Sequence, residues 1–203
     1  MNIAYVGFGK STNRYHIPYV KTRDHMKIKR VVNRSLGKRP KEQAALEATG
    51  TVFSTALSDI ITDDSIDLVV VVTPAFAHYD TVKQLLMGGK NVLCDKPLVE
   101  TAQEAKTLID LANEKGLFFM PFQNRRFDSD FLTVKKVIEA GYLGDLIDIT
   151  VNMDHFRAND ATSGQPFDGA WYGHGVHLVD QMISLFGKPS SVSYDIRSVR
   201  QED

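Results

Sequence analysis

Cysteine occurs once, at Cys94, tryptophan once, and net charge is nearly absent, with 24 lysines and arginines against 25 aspartates and glutamates. A single thiol excludes an internal disulfide and fits a reducing, cytoplasmic setting. A formal charge of -1 supplies no long-range field of the kind that gathers proteins on nucleic acid or anionic lipid, so neither is expected as a partner. The longest apolar run, Leu68 to Val72, is far too short to span a bilayer, and no basic segment precedes the apolar start. The basic run Lys38-Arg39-Pro40-Lys41 reads as a solvated loop.

What is present is organised around the first nine residues. Ile3 to Val6 is a short apolar run ended by Gly7-Phe8-Gly9, which predicts a buried strand entering a tight turn. Without a Cβ, Gly7 and Gly9 let a phosphate approach the main-chain amides of the turn and of Lys10, Ser11 and Thr12. The third glycine of the dinucleotide fingerprint falls at position 12, where the chain has Thr12, so the motif is incomplete and gains weight only from residues further along the chain. Pro18 predicts an irregular junction before a short helix. Met26 to Val32 is a second strand, ending at Asn33-Arg34-Ser35, where a dinucleotide fold meets the adenosine ribose. Asn33 carries no charge to repel a 2′-phosphate, and Arg34 and Lys38 offer cations for one, which favours NADP(H) over NAD(H). The plainer alternative leaves Arg34 as a surface arginine.

Strand and helix alternate as far as residue 120, predicting a doubly wound α/β parallel sheet. Lys41 to Thr49 reads as a helix, Val52-Phe53 as a strand, and Ile66 to Val72 as the central strand, stopped by Thr73-Pro74. Phe76 to Met87 follows as a helix with His78 near its start, a residue that either faces the ligand crevice or packs on the loop. Asn91 to Cys94 delivers Asp95-Lys96-Pro97, placing a lysine beyond a buried strand where proton transfer at a nucleotide site needs one. Thr101 and Glu104 form a capping box opening a helix to Lys115, and Leu117 to Met120 closes the series.

Beyond residue 121 the pattern changes. Gln123-Asn-Arg-Arg126 is a polar connector, and Ser129 is placed as the cap of a helix to Ala140. Leu146 to Phe156 alternates apolar and polar residues, predicting a long strand with Asp154 on its polar face; Ser191 to Arg200 reads as another. Tyr172 to Phe186 reads as a helix in which Asp180 or Gln181 is spaced to orient His177, with His174 one turn earlier. A metal site drawn from Asp154, His155, His174 and His177 ranks below these readings, and no metal is expected.

Five ordered pieces together resemble the Gfo/Idh/MocA oxidoreductases: Gly7-Phe-Gly9 with Arg14-Tyr-His16, Thr73-Pro74 with His78, Cys94-Asp-Lys-Pro97 in place of the usual Glu-Lys-Pro, Gln123-Asn-Arg-Arg126, and Gly175-Val-His-Leu-Val-Asp180. The set is most similar to the NADP-using scyllo-inositol dehydrogenase branch. The resemblance implies a Rossmann domain over 1–121 and a partial α+β domain over 122–203, whose open, mainly antiparallel sheet mediates dimers. It further implies hydride transfer between nicotinamide and a small sugar or cyclitol. Lys96 and His177 become the catalytic pair, with Asp154 and His174 beside them at the substrate. Gly7, Gly9, Lys10, Ser11, Thr12, Asn33, Arg34, Ser35, Thr73, Pro74, His78, Asp95, Lys96, Asn124 and Arg125 become the cofactor contacts. Two departures stand out: Gly173 occupies the position of an aspartate frequent in the family, and the chain ends at Asp203 where family members continue with further strands. The expectation is therefore a C-terminally truncated dehydrogenase, with a catalytically impaired NADP(H)-binding, self-associating protein as the alternative.

Overall fold

The computed structural model describes residues 1–154, 169, 171–195 and 197. The chain divides into two compact units, Met1–Phe122 and Gln123–Asp203. In the first, strands β1 (Asn2–Val6), β2 (Lys27–Val32), β3 (Val52–Ser54), β4 (Leu68–Val71), β5 (Val92–Cys94) and β6 (Phe119–Pro121) form one sheet in the order β3-β2-β1-β4-β5-β6. Every neighbouring pair is parallel, as the alternating sequence requires. Between them lie α1 (Ile17–Lys21), α2 (Pro40–Glu47), α3 (Ser58–Ile61), α4 (His78–Met87) and α5 (Ala102–Glu114).

Both faces of the sheet are covered, because successive side chains of a strand point opposite ways. Ala4 and Val6 of β1 join Val69, Val71, Val92 and Cys94 against Val82, Leu85 and Leu86 of α4 and Leu108 of α5. Ile3 and Tyr5 join Val31 and Val70 on the other face, against Ile17 and Val20 of α1 and Leu46 of α2. Each fully buried branched side chain contributes about 1.5–3 kcal/mol relative to exposure, so these two layers dominate the stability of the unit. Burial without a charged partner also pushes the Tyr5 phenol up.

Local signals act where expected. Thr101 Oγ1 accepts from Glu104 N at 3.1 Å while Glu104 Oε2 accepts from Thr101 N at 3.0 Å, closing the capping box of α5. The irregular junction ahead of Pro18 is a π-helical turn, Thr12–His16, leading directly into α1. A widened turn of this kind accommodates the donor that proline lacks.

In the second unit, α6 (Ser129–Glu139) is preceded by a tight 3₁₀ turn at Asn124–Phe127 and α7 (Val176–Phe186) by a wider π-helical turn at Trp171–Gly175. Three expectations need correction here. Ser129 is the first helical residue of α6 and Asp128 the N-cap; neither side chain caps the helix, and Ser129 O instead accepts from Thr133 Oγ1 at 2.6 Å. The helix expected from Tyr172 begins as a π-helical turn and becomes α-helical only at Val176. Residues 146–154 and 191–195 are not strands; the remainder of those two segments lies outside the described residues, apart from Arg197. Every strand among the described residues is parallel and lies in the first unit. Alternation sorts side chains onto two faces, but a strand exists only when a neighbour takes its backbone groups, and Ile147, 92% exposed, has no such cover among the described residues.

Candidate functional site

The sheet order reverses direction between β1 and β4, and their carboxyl ends open onto a crevice of about 1060 Å³. Gly7 turns at its inner end with φ +105, donating its N–H to Val32 O at 2.8 Å. A Cβ there would stand 2.4 Å from Val72 O, so only glycine lets β1 turn against the end of β4. Gly9 differs: a Cβ would meet nothing within 4 Å. Its side-chain space opens into the crevice, and that is the room a phosphate needs beside main-chain amides.

Asn33, Arg34 and Ser35 line the opposite wall, joined by Thr73 and Pro74 from the end of β4. Asn33 is fixed by Asn33 N donating to Ser54 O at 3.0 Å and Asn33 Nδ2 donating to Ser35 O at 2.7 Å. The Thr73 hydroxyl is buried and has no hydrogen-bond partner among the described residues, leaving one hydrogen-bonding group at the wall for a ligand. Lys38, Arg39 and Lys41 line the crevice as well; Lys38 and Lys41 are exposed, in keeping with a solvated run, and Pro40 opens α2. The acidic residue on this wall, Glu42, is paired with Arg39 at 3.4 Å.

Several expected contact residues also hold the crevice in shape. Thr12 is fully buried, with Oγ1 donating to Gly7 O at 3.0 Å; the residue standing in for a third glycine ties the turn to its helix and does not line the wall. Lys10, Ser11, His78, Asp95 and Lys96 are likewise absent from the lining. Ser11 Oγ donates to Asp95 Oδ2 at 2.9 Å, and Lys96 N donates to Asp95 Oδ1 at 2.8 Å. His16 Nε2 lies 3.7 Å from the same carboxylate, its ring held between Tyr5 and Phe122. Burial alone would raise the Asp95 pKa, but His16, the Lys96 N–H and Ser11 outweigh it and hold the carboxyl below its usual value. Asp95 thus fastens the glycine turn to the segment that carries Lys96.

A depressed carboxyl pKa contributes stability above the unfolded-state value, and that contribution is lost as pH falls through the folded one. Asp95→Asn is therefore expected to flatten the dependence of the urea midpoint on pH below about 4, the ordinary aspartate range. An unchanged slope in urea titrations run from pH 6 to pH 3 would show that this carboxylate is not held low.

In the second unit, His177 is buried on α7 and His174 is partly exposed one turn earlier. Asp180 is engaged by a fork from Arg126, Nε to Oδ2 and Nη2 to Oδ1, both at 2.7 Å. The fork raises the Arg126 pKa. Gln181 Nε2 donates to Arg125 O at 3.2 Å, and the Arg125 side chain meets Asp128 at 3.0 Å. The two residues spaced to orient His177 thus bind the Asn124–Phe127 turn. Asp154 is exposed, and His155 lies outside the described residues. Among the described residues no three histidine, cysteine or acidic side chains gather into a metal-binding group.

A six-stranded parallel sheet with a glycine turn and cationic wall at its reversal point defines a dinucleotide-binding protein. Residues 1–123 match the oxidoreductase family with an NAD-binding Rossmann fold, and residues 131–203 match the GFO/IDH/MocA C-terminal domain. The chain belongs to the Gfo/Idh/MocA oxidoreductase family. It is 47% identical to Uncharacterized oxidoreductase YhhX of Escherichia coli strain K12, over 100% of this chain and 58% of that protein. The crystal structure of a probable oxidoreductase yhhX superposes with a TM-score of 0.92 at 46% identity, covering 100% of this chain and 58% of the other. It is 30% identical to scyllo-inositol 2-dehydrogenase (NADP(+)) IolW of Bacillus subtilis strain 168, over 99% of this chain and 56% of that protein. The chain thus spans a little over half the length of these relatives.

Proposed function

We propose that this chain carries the nucleotide-binding and proton-transferring parts of an NADP(H)-dependent dehydrogenase acting on a hydroxyl or ketone of a small sugar or cyclitol. The observation that carries the reading is the crevice itself: a glycine turn opens onto it, and a wall with Arg34 and Lys38 follows β2 where an NAD-binding protein would place a carboxylate. Gly7 and Gly9 admit the pyrophosphate, the Thr73 hydroxyl and Pro74 border it, and Arg34 and Lys38 face a 2′-phosphate. Bound nicotinamide supplies the hydride chemistry. Lys96 takes or returns the hydroxyl proton, and Asp95 fixes its main chain. On the second unit, His177 is assigned to the substrate hydroxyl, with His174 and Asp154 as further substrate contacts and Asn124 and Arg125 as cofactor contacts. The name of the Bacillus relative, which specifies both NADP(+) and a cyclitol, agrees with this assignment.

The cofactor preference is tested by titration. Arg34→Glu is expected to weaken NADPH binding by about tenfold or more, through loss of a charge-assisted contact worth about 1.5–3 kcal/mol, while leaving NADH nearly unaffected. Equal losses for the two nucleotides would remove Arg34 from 2′-phosphate recognition.

A second reading is favoured by the exposed apolar side chains of the second unit, Ile147 and Tyr194 among them. In it the chain binds NADP(H) and self-associates as a dimer through the exposed apolar surface of the second unit without turning over substrate. Tight NADPH binding in a dimeric protein inactive across a polyol panel selects it. The lone buried Cys94 accords with a cytoplasmic assignment, and no described helix is long and apolar enough to cross a membrane.

A further inference from the structure

His78 opens α4 and is 1% exposed, so its ring exchanges no hydrogen bonds with bulk water. Both ring nitrogens face carbonyl oxygens: Nδ1 lies 2.8 Å from Pro97 O and 3.2 Å from Leu98 O, and Nε2 lies 2.9 Å from Thr73 O. A carbonyl oxygen only accepts, and a neutral imidazole has one N–H to donate. The ring N–H donates on one of these two sides, and the buried ring itself fills the space between the two loops.

From this the geometry points to His78 as a positioning residue: a buried clamp lodged between the crevice wall at Thr73 and the Pro97-Leu98 segment directly after Lys96. This rests on the nucleotide-binding reading above and adds a device that fixes Lys96 relative to the crevice. The two loops come from different strand ends, β4 and β5, and the one ring reaches both. Charged groups carried by the surrounding elements are Asp80 and Lys83 on α4, Asp95, Lys96 and Glu100 after β5, and Glu104, Lys106 and Asp110 on α5. Of these, Asp95 is bound to Ser11 and Lys96 N, Glu104 to Thr101, and Lys106 to Asp110. None of those bonds involves the His78 ring, whose nitrogens are directed at the three carbonyls.

The test uses the whole chain together with His78→Phe, which keeps a planar ring without N–H groups, and His78→Asn, which keeps a donor for one side. Amide exchange at residues 95, 96, 98 and 99 is expected to rise about tenfold in His78→Phe and less in His78→Asn, with β1 exchange unchanged in both. Unaltered exchange at these four residues in the variants would overturn the proposal. Faster exchange throughout β1 would do the same, since it marks a general packing role; if His78→Phe does not fold, His78→Asn decides. NADPH titration of the unmutated chain, run alongside, separates failure of the clamp from failure of the nucleotide-binding reading.

Discussion

Gly7→Ala is expected to destabilise the first unit by about 3–5 kcal/mol, the sum of holding a side chain at positive φ and forcing an extra carbon into a packed site. The cause is local and severe: the new methyl carbon would lie 2.4 Å from Val72 O and 2.8 Å from Val72 C, both backbone atoms. Neither can swing aside as a flexible side chain would, so β1 and β4 must separate at the mouth of the crevice. Gly9→Ala provides the control, since nothing lies within 4 Å of its added carbon. That variant should unfold within about 0.5 kcal/mol of the parent, as substitutions away from packed features do. It should nevertheless bind NADPH more weakly, because its methyl group enters the space left for phosphate. Urea unfolding followed by fluorescence, paired with NADPH titration, reads both effects. A stable Gly7→Ala protein would mean that the turn relaxes without opening the sheet, and tight NADPH binding by Gly9→Ala would move the phosphates elsewhere.

The second large effect is chemical. Lys96→Ala is expected to lower turnover by about 10²–10⁴-fold, the contribution of a positioned proton donor or acceptor, and to leave the NADPH dissociation constant within about twofold. The separation is expected because Lys96 is assigned to the substrate proton, while the Gly7–Gly9 turn and the Arg34 wall that line the crevice are unchanged in the variant. The assay is run on the protein in which substrate turnover has been detected, with nucleotide binding measured on the same preparations. Turnover surviving the change would return Lys96 to a purely structural part.

Much of the first unit was legible in the sequence because its elements are specified by neighbours. The run Leu68 to Val71 is buried by its own composition, the capping box of α5 is four residues long, and Gly7 follows directly on β1. The sequence puts Thr12 at the cofactor and leaves His78 between crevice and loop. In the structure the Thr12 hydroxyl donates to Gly7 O, and the His78 ring faces backbone oxygens that include Pro97 O, 19 residues further along the chain. Sequence position brings a polar side chain to the neighbourhood of a crevice; which oxygen it faces depends on distant loops. The same holds for Asp180, whose helical spacing from His177 pointed inward along α7 while a fork from Arg126 claims its carboxylate. The alternating segment beginning at Leu146 failed for a different reason, since period-two patterning describes the faces of a strand and says nothing about the neighbour that must complete its ladder.

The order of the sheet also bears on how the protein emerges during synthesis. β1 is made first yet occupies the middle, hydrogen-bonded on one side to β2 and on the other to β4, which ends at Val71. Until that later stretch leaves the ribosome, one apolar edge of the opening strand has nothing to pair with, and the nucleotide cleft has only one bank. All of the cleft's walls have been translated by Gln84. Ligand added to stalled nascent chains should therefore begin to protect them from protease only once the tunnel has released this portion.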